Sequence, residues 1–209
     1  MQRKKPAKRL CYRVKTQTAV IHWIRSNYAF TIVIEHCNRC GSKVDFVTPP
    51  RDSLPRHVCS ACGHIQYENP RLVVGCVAEW EGRILLCRRA IEPRYGYWTL
   101  PAGFMENGES TAQGAIRETH EEAGASVSID APFALISIPH INQVHLFYRG
   151  RLERPEYAAG DESLAVALVA PDEIPWDELA FRSVTLCLER YLGDRNAGQF
   201  GFHETFLNP

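Results

Sequence analysis

From residue 72 onward, short apolar runs alternate with polar turns. The runs near 72–80, 83–89, 127–138, 143–152 and 163–169 read as strands. Glu81-Gly82, between the first two, reads as a tight hairpin turn. Trp98-Thr99-Leu100-Pro101-Ala102-Gly103 reads as a short strand entering a loop. Two stretches carry a helical period instead. In the first, Ala112, Ala115, Ile116, Thr119 and Ala123 form a narrow apolar stripe of small side chains. Ser110 and Gln113 make a capping-box pair, which predicts a helix start at Thr111. Gly124 fits the left-handed position that ends such a helix. Gly114 inside it costs ~1 kcal/mol against alanine, which implies another backbone packed close by. In the second stretch, Val184, Leu188 and Leu192 share one stripe. They predict a helix from Leu179 or Phe181 to Leu192, closed by Gly193. The pattern is α/β: a mixed sheet between two helices.

Before residue 70 the pattern changes. Cys37-x2-Cys40 and Cys59-x2-Cys62 have the spacing of a zinc site with four thiolate ligands. Gly41 and Gly63 follow the pairs and permit tight turns that bring backbone N–H groups to the sulfurs. Lys43 to Thr48 and Arg56 to Cys59 read as strands of a small ribbon, joined by the turn-rich Pro49-Pro50-Arg51-Asp52-Ser53. Two disulfides are the alternative. Cys76 and Cys87 lie within strands and read as buried free thiols, like Cys11 and Cys187, which favours a reducing compartment and zinc. Asn69-Pro70 links ribbon to domain. The organisation is thus 1–34 as an extension, 35–68 as a zinc ribbon and 69–209 as the main domain.

Composition adds little: 209 residues, 45% hydrophobic, formal net charge +0. That balance gives no overall pull toward nucleic acid. No apolar run approaches the ~20 residues that cross a membrane as a helix. Charge is unevenly placed, however. Residues 1–34 hold Arg3, Lys4, Lys5, Lys8, Arg9, Arg13, Lys15 and Arg25 and no acid. Three readings compete: a disordered basic arm, an organellar transit peptide, and upstream sequence added by a misassigned start. The last is the expectation. Location follows as cytoplasmic, or organelle stroma or matrix if a transit peptide is present.

Glu118, Glu121 and Glu122 lie three and four residues apart, just before Gly124. On a helix they share one face, where they repel each other. Glu121 and Glu122 also sit at the C-terminal end, where the macrodipole disfavours anions. A local rule broken without compensation marks a site. The compensation expected is a divalent cation preferring oxygen ligands, Mg²⁺ or Mn²⁺. The loop carbonyls of Ala102 or Gly103 can join the carboxylates.

Gly103 to Ala125 resembles the Nudix box, Gly-x5-Glu-x7-Arg-Glu-U-x-Glu-Glu-x-Gly-U, at every charged and glycine position. Thr119 and Ala125 stand at the two U positions, which usually hold bulky aliphatic residues. The resemblance implies a Nudix α-β-α sandwich with a mixed sheet, here preceded by a four-cysteine ribbon. It implies metal-assisted attack of water on a nucleoside diphosphate linked to another group. Glu118 and Glu122 are then the main metal ligands, with Gly103 giving a carbonyl. Glu121 is a shared ligand or the base, and Glu109 with Arg117 forms a supporting pair. Relatives add a carboxylate from a later loop as general base. Glu162 is the expectation, with Asp161, Asp172 and Glu173 as alternatives. Ala165 stands where relatives often carry a further acid. Arg89 is the candidate phosphate contact. Tyr95, or Tyr97, is the candidate stacking residue.

Within the family two groups compete. NADH pyrophosphatases, which also decap NAD-linked RNA, share the ribbon but carry Ser-Gln-Pro-Trp-Pro-Phe-Pro beyond the box. Ile136 to Gln143 here has no such motif. The ribbon-bearing hydrolases of FAD and ADP-ribose are more similar, at Asn69 to Cys76, Trp98 to Gly103, Asp172 to Pro175 and Leu179 to Phe181. The resemblance therefore implies FAD cleavage to FMN and AMP, or ADP-ribose cleavage to AMP and ribose 5-phosphate. NADH or NAD-capped RNA is the alternative. A rival of another class is a nucleotide-sensing, nucleic-acid-binding regulator without activity; the intact box glutamates favour the enzyme. The expected partner is a dinucleotide or nucleotide-sugar substrate, with neither membrane nor nucleic acid, and a homodimer remains open.

Overall fold

The computed structural model describes residues 34–209. The expectations for residues 1–33, including the basic arm and Cys11, lie outside the described residues. The chain divides into two compact units between Glu68 and Asn69.

The first unit is a three-stranded antiparallel ribbon: β1 (Val44–Val47), β2 (Arg56–Cys59) and β3 (Ile65–Gln66). β3 is too short to stand out in the sequence. Asp52 builds the turn before β2, accepting hydrogen bonds from Leu54 N–H at 3.1 Å and Arg56 Nε at 3.0 Å.

The second unit holds one mixed sheet. Its order is β10 (Ser163–Val169), β5 (Arg83–Arg89), β4 (Arg71–Trp80), β9 (Gln143–Leu152), β8 (Val127–Ile138) and β11 (His203–Phe206). β6 (Trp98–Thr99) pairs with β5, and β7 (Ala102–Phe104) with β4. β4 runs parallel to β9, and β11 parallel to β8; the other pairs are antiparallel. The strands expected at 83–89, 127–138, 143–152 and 163–169 form at those bounds.

Alternation along the strands splits the core in two. On one face Val77, Ile84, Leu86 and Phe147 pack with Val184, Leu188 and Tyr191 of α2 (Arg182–Ala197). On the other, Val74, Cys76, Ala78 and Leu85 meet Ala115 and Ala123 of α1 (Thr111–Ala123). The result is an α-β-α sandwich. Cys76, Cys87 and Cys187 are buried free thiols, and burial pushes all three thiol pKa values up.

α1 starts and stops as its sequence dictates. Ser110 caps it, with the capping box complete, and Gly124 closes it at φ 58°. Two expectations need correction. Gly114 is not approached by a backbone: a Cβ there would meet the Glu109 carboxylate and the Val74 side chain, both at 2.7 Å. Nor does Gly193 end α2. The helix runs on to Ala197 and closes at Gly198, φ 70°. Gly193 faces open space, while Arg195 in the next turn donates to Gly82 O at 2.7 Å. That contact, with Tyr191 packed in the core, holds the helix past its weak residue.

Candidate active site and zinc centre

β7 lies beside β4, with Gly103 opposite Val74, and α1 crosses the same strand. This brings the loop glycine against the helix carboxylates. A Cβ on Gly103 would collide with the Glu118 carboxylate, so any larger residue there would displace that side chain from its present position. Glu118 and Glu122 are buried, 9% and 6% exposed. Glu121 stands on the open side, its side chain 57% exposed.

Arg117 organises this group. Nε and Nη2 donate to the two Glu109 oxygens at 3.0 and 2.8 Å, a bidentate pair. Nη1 donates to Glu118 Oε1 at 2.7 Å and Glu121 Oε2 at 2.9 Å, and Nη2 also reaches Phe104 O at 3.1 Å. The Arg117 guanidinium holds the Glu109 carboxyl down at about 2. Burial pushes the Glu118 carboxyl up, against the pull of Arg117.

Glu122 has no such partner. Its hydrogen bond among the described residues comes from Ala102 N–H at 3.3 Å. Burial, then repulsion by Glu118, pushes its carboxyl up to about 8. A buried carboxylate this poorly compensated, beside a second one, suits a hard divalent cation. The three glutamates do not converge on one point: among the described residues only the four cysteines bring three or more ligand atoms within 4.8 Å of one another. Arg117 draws Glu118 and Glu121 toward itself instead.

The same cleft, about 1060 Å³, is lined by Gly103, Arg117, Glu118, Glu121, Glu122, Arg89, Asp161 and Glu162. Arg89, at the end of β5, donates Nε to Pro93 O at 2.9 Å and lies 5.1 Å from the Phe181 ring. Its charge lowers the Glu122 pKa, while that of Glu162 raises those of both Glu118 and Glu122. Tyr95 is not brought into the cleft. It is 55% exposed, and its neighbours Pro93 and Arg94 line the site instead. Arg94, at φ 68°, turns the loop there. Tyr97 lies under the Arg94 guanidinium, 5.4 Å from it. Glu173 pairs with Arg83 at 3.4 Å, and neither Asp172 nor Glu173 lines the cleft.

Sequence reasoning missed Phe104, 46% exposed at the cleft beside Arg71. It also missed His145 and Gln143 on β9, joined at 2.9 Å. The available signal was a polar pair on a strand otherwise buried by pattern. Burial lowers the His145 pKa to about 4, so its ring is neutral at pH 7. In the unfolded chain it titrates near ~6.5. Below that value the unfolded state binds a proton the native state refuses, so this residue's contribution falls with pH between ~6.5 and ~4. The expected loss is on the order of 3 kcal/mol. Urea unfolding of wild type and His145→Gln at pH 7 and pH 4.5 checks it; the variant should show the smaller acid loss.

In the ribbon, Cys37 Sγ lies 3.7 Å from Cys62 Sγ, and Cys40 Sγ 3.5 Å from Cys59 Sγ. Zn–S bonds of ~2.3 Å in a tetrahedron place sulfurs ~3.8 Å apart. A disulfide needs ~2.05 Å, and all four cysteines are free. Gly41 and Gly63, each at φ 72°, close the two knuckles, donating to Cys37 O and Cys59 O at 2.9 Å. Arg39 N–H and Cys62 N–H face the Cys37 and Cys59 sulfurs at 3.4 and 3.5 Å. Hydrogen bonds from Ser42 push the Cys40 thiol down. Against a backbone hydrogen bond at His64, sharing with its neighbours Cys40, Cys59 and Cys37 pushes Cys62 up, as expected of four sulfurs crowded together. The donor set fits structural zinc and leaves no position open for catalysis.

Residues 69–186 match the NUDIX domain, more than half of the chain. The chain belongs to the Nudix hydrolase family. Residues 35–68 match the ribbon described as Nudix N-terminal. This Nudix chain is similar to a crystal structure of a NUDIX hydrolase from Nitrosomonas europaea, 47% identical. That match has a TM-score of 0.82, covering 84% of this chain and 100% of the other. It is 33% identical over 73 residues to an ADP-ribose pyrophosphatase of Methanocaldococcus jannaschii, covering 35% of this chain and 43% of that protein. It is 36% identical over 94 residues to the NAD-capped RNA hydrolase NudC of Chromobacterium violaceum, covering 44% and 34%. The chain thus spans less than half the length of either curated relative. Among the described residues no helix is long and apolar enough to cross a membrane.

Proposed function

We propose that this Nudix chain hydrolyses the diphosphate of a nucleoside diphosphate joined to another group, FAD or ADP-ribose before NADH. The observation that carries the reading is Glu122: a buried carboxylate beside Glu118, without a cationic hydrogen-bond partner, at the foot of a large cleft. Glu118, Glu121, Glu122 and the Gly103 carbonyl would hold Mg²⁺ or Mn²⁺. Bound there, such an ion neutralises phosphate charge and lowers the pKa of water.

The protein groups do the rest. Arg117 keeps Glu109, Glu118 and Glu121 in one network, which positions the latter two at the edge of the site that would hold the ion. Arg89 faces the phosphates from β5. Glu162, which lines the same cleft and whose charge raises the pKa of both buried glutamates, is the proposed base for the attacking water. Cys37, Cys40, Cys59 and Cys62 would hold Zn²⁺, which would brace the ribbon with no open position for chemistry.

The substrate preference rests on sequence: the segment beyond the box lacks the motif of NADH-type relatives. An ADP-ribose pyrophosphatase and NudC hydrolases both stand among the relatives. The box meets only the shared diphosphate, so discrimination lies outside it. A panel of FAD, ADP-ribose, NADH and NAD-capped RNA tests the reading. FAD or ADP-ribose should show a kcat/KM at least ~10-fold above NADH, a difference of ~1.4 kcal/mol. A higher kcat/KM for NADH or the capped RNA would reverse the preference.

A further inference from the structure

The carboxylate cluster occupies one region of the cleft, and beside it lies a surface with different chemistry. Val73 is paired with Phe104, the residue after Gly103, so this surface begins next to the cluster. Val73 is also opposite His145, and Gly75 opposite Phe147, across β4 and β9; Ile138 is opposite Gln143 across β9 and β8. These side chains form a floor that is mainly apolar, with the His145–Gln143 pair set into it. Arg71, opposite Gln143 and 5.4 Å from the Phe104 ring, borders it at the edge.

The wall over this floor comes from residues beyond the matched NUDIX domain, which ends at 186. β11 adds to the sheet edge beside β8, and Leu207 N–H extends the pairing to Ser137 O at 2.9 Å. Arg182 Nη1 donates to Asn208 O at 3.2 Å. Asp194 anchors the segment from behind, through Gly201 N–H and His203 Nε2, both at 2.8 Å. Leu207, Asn208 and Pro209 then line the same cleft as Glu118 and Glu122.

An apolar floor, an apolar side chain above it and a neutral polar pair suit a flat heteroaromatic ring, not a phosphate. We infer that Leu207 and Asn208, over Val73, Ile138 and Phe147, form the subsite that holds the base of the nucleotide. The segment after α2 therefore helps select which diphosphate this chain cleaves. The inference rests on the diphosphate reading above, but it can fail separately.

The test uses the full chain with Leu207→Glu, Leu207→Ala and, as a control on the solvent side of β11, Glu204→Gln. AMP binding is measured by calorimetry, and KM and kcat on whichever panel compound the wild type turns over. Leu207→Glu should weaken AMP binding and raise KM at least ~10-fold, with kcat within about threefold. Leu207→Ala should shift both the same way by less, and Glu204→Gln should shift neither. Thermal melts of each variant identify any loss of fold, and Leu207→Ala then carries the comparison. Unchanged AMP binding and KM in the folded Leu207 variants would overturn the subsite. So would a fall in kcat at constant KM, or a folded wild type that binds no AMP. AMP binding that depends on Leu207, without turnover of any panel compound, would support the subsite and count against the diphosphate reading.

Discussion

Glu122→Gln should lower turnover by about 10²- to 10⁴-fold, a loss of ~3–5 kcal/mol of transition-state stabilisation. The amide keeps the shape of the side chain and can still accept from Ala102 N–H. It removes a carboxyl that burial and Glu118 make costly to ionise in the metal-free protein. The fold should therefore persist, with a melting temperature at or above that of the metal-free wild type. Chelation should abolish activity in the wild type, and Mg²⁺ should restore it. Wild-type rates in metal-free buffer would remove the carboxylates from the mechanism.

Cys59→Ser should empty the ribbon of zinc and unfold it, leaving the Nudix domain in place. Structural zinc contributes ~10 kcal/mol or more to small domains of this kind. The ribbon has little else: three short strands, and a core that includes Val58, Cys37 and Cys59 itself. The two units are compact separately, so loss of the first need not melt the second. Elemental analysis should find one zinc per wild-type chain and none in the variant. Limited proteolysis should cut the variant within 35–68. Zinc-free wild-type protein, or a disulfide among the four cysteines, would contradict this account.

Local signals account for what the sequence made legible. α1 was readable at both ends because its stop and start are chemical: a capping box at Ser110 and Gln113, and a left-handed Gly124. The long strands were readable because both faces of the sheet are covered. The cysteine spacing and the box carboxylates identify themselves, because no fold needs them for packing alone. What stayed hidden depends on distant partners. Gly193 looks like a helix end, yet Arg195 reaching Gly82 carries α2 through it. β11 is four residues, half of them exposed, and exists because β8 offers an edge. Leu207 and Phe104 enter the cleft through strand register, which no local pattern encodes. Tyr95 and Phe104 are both exposed aromatics near the box, and only the fold separates them: Phe104 lines the cleft and Tyr95 does not.

The most direct test is to incubate the purified chain with FAD or ADP-ribose and Mg²⁺, and to identify the products. The products should be AMP with FMN, seen as a rise in flavin fluorescence, or AMP with ribose 5-phosphate. Both reactions should stop on chelation and be nearly absent in Glu122→Gln. No AMP from either compound, or equal AMP release by wild type and Glu122→Gln, would contradict it.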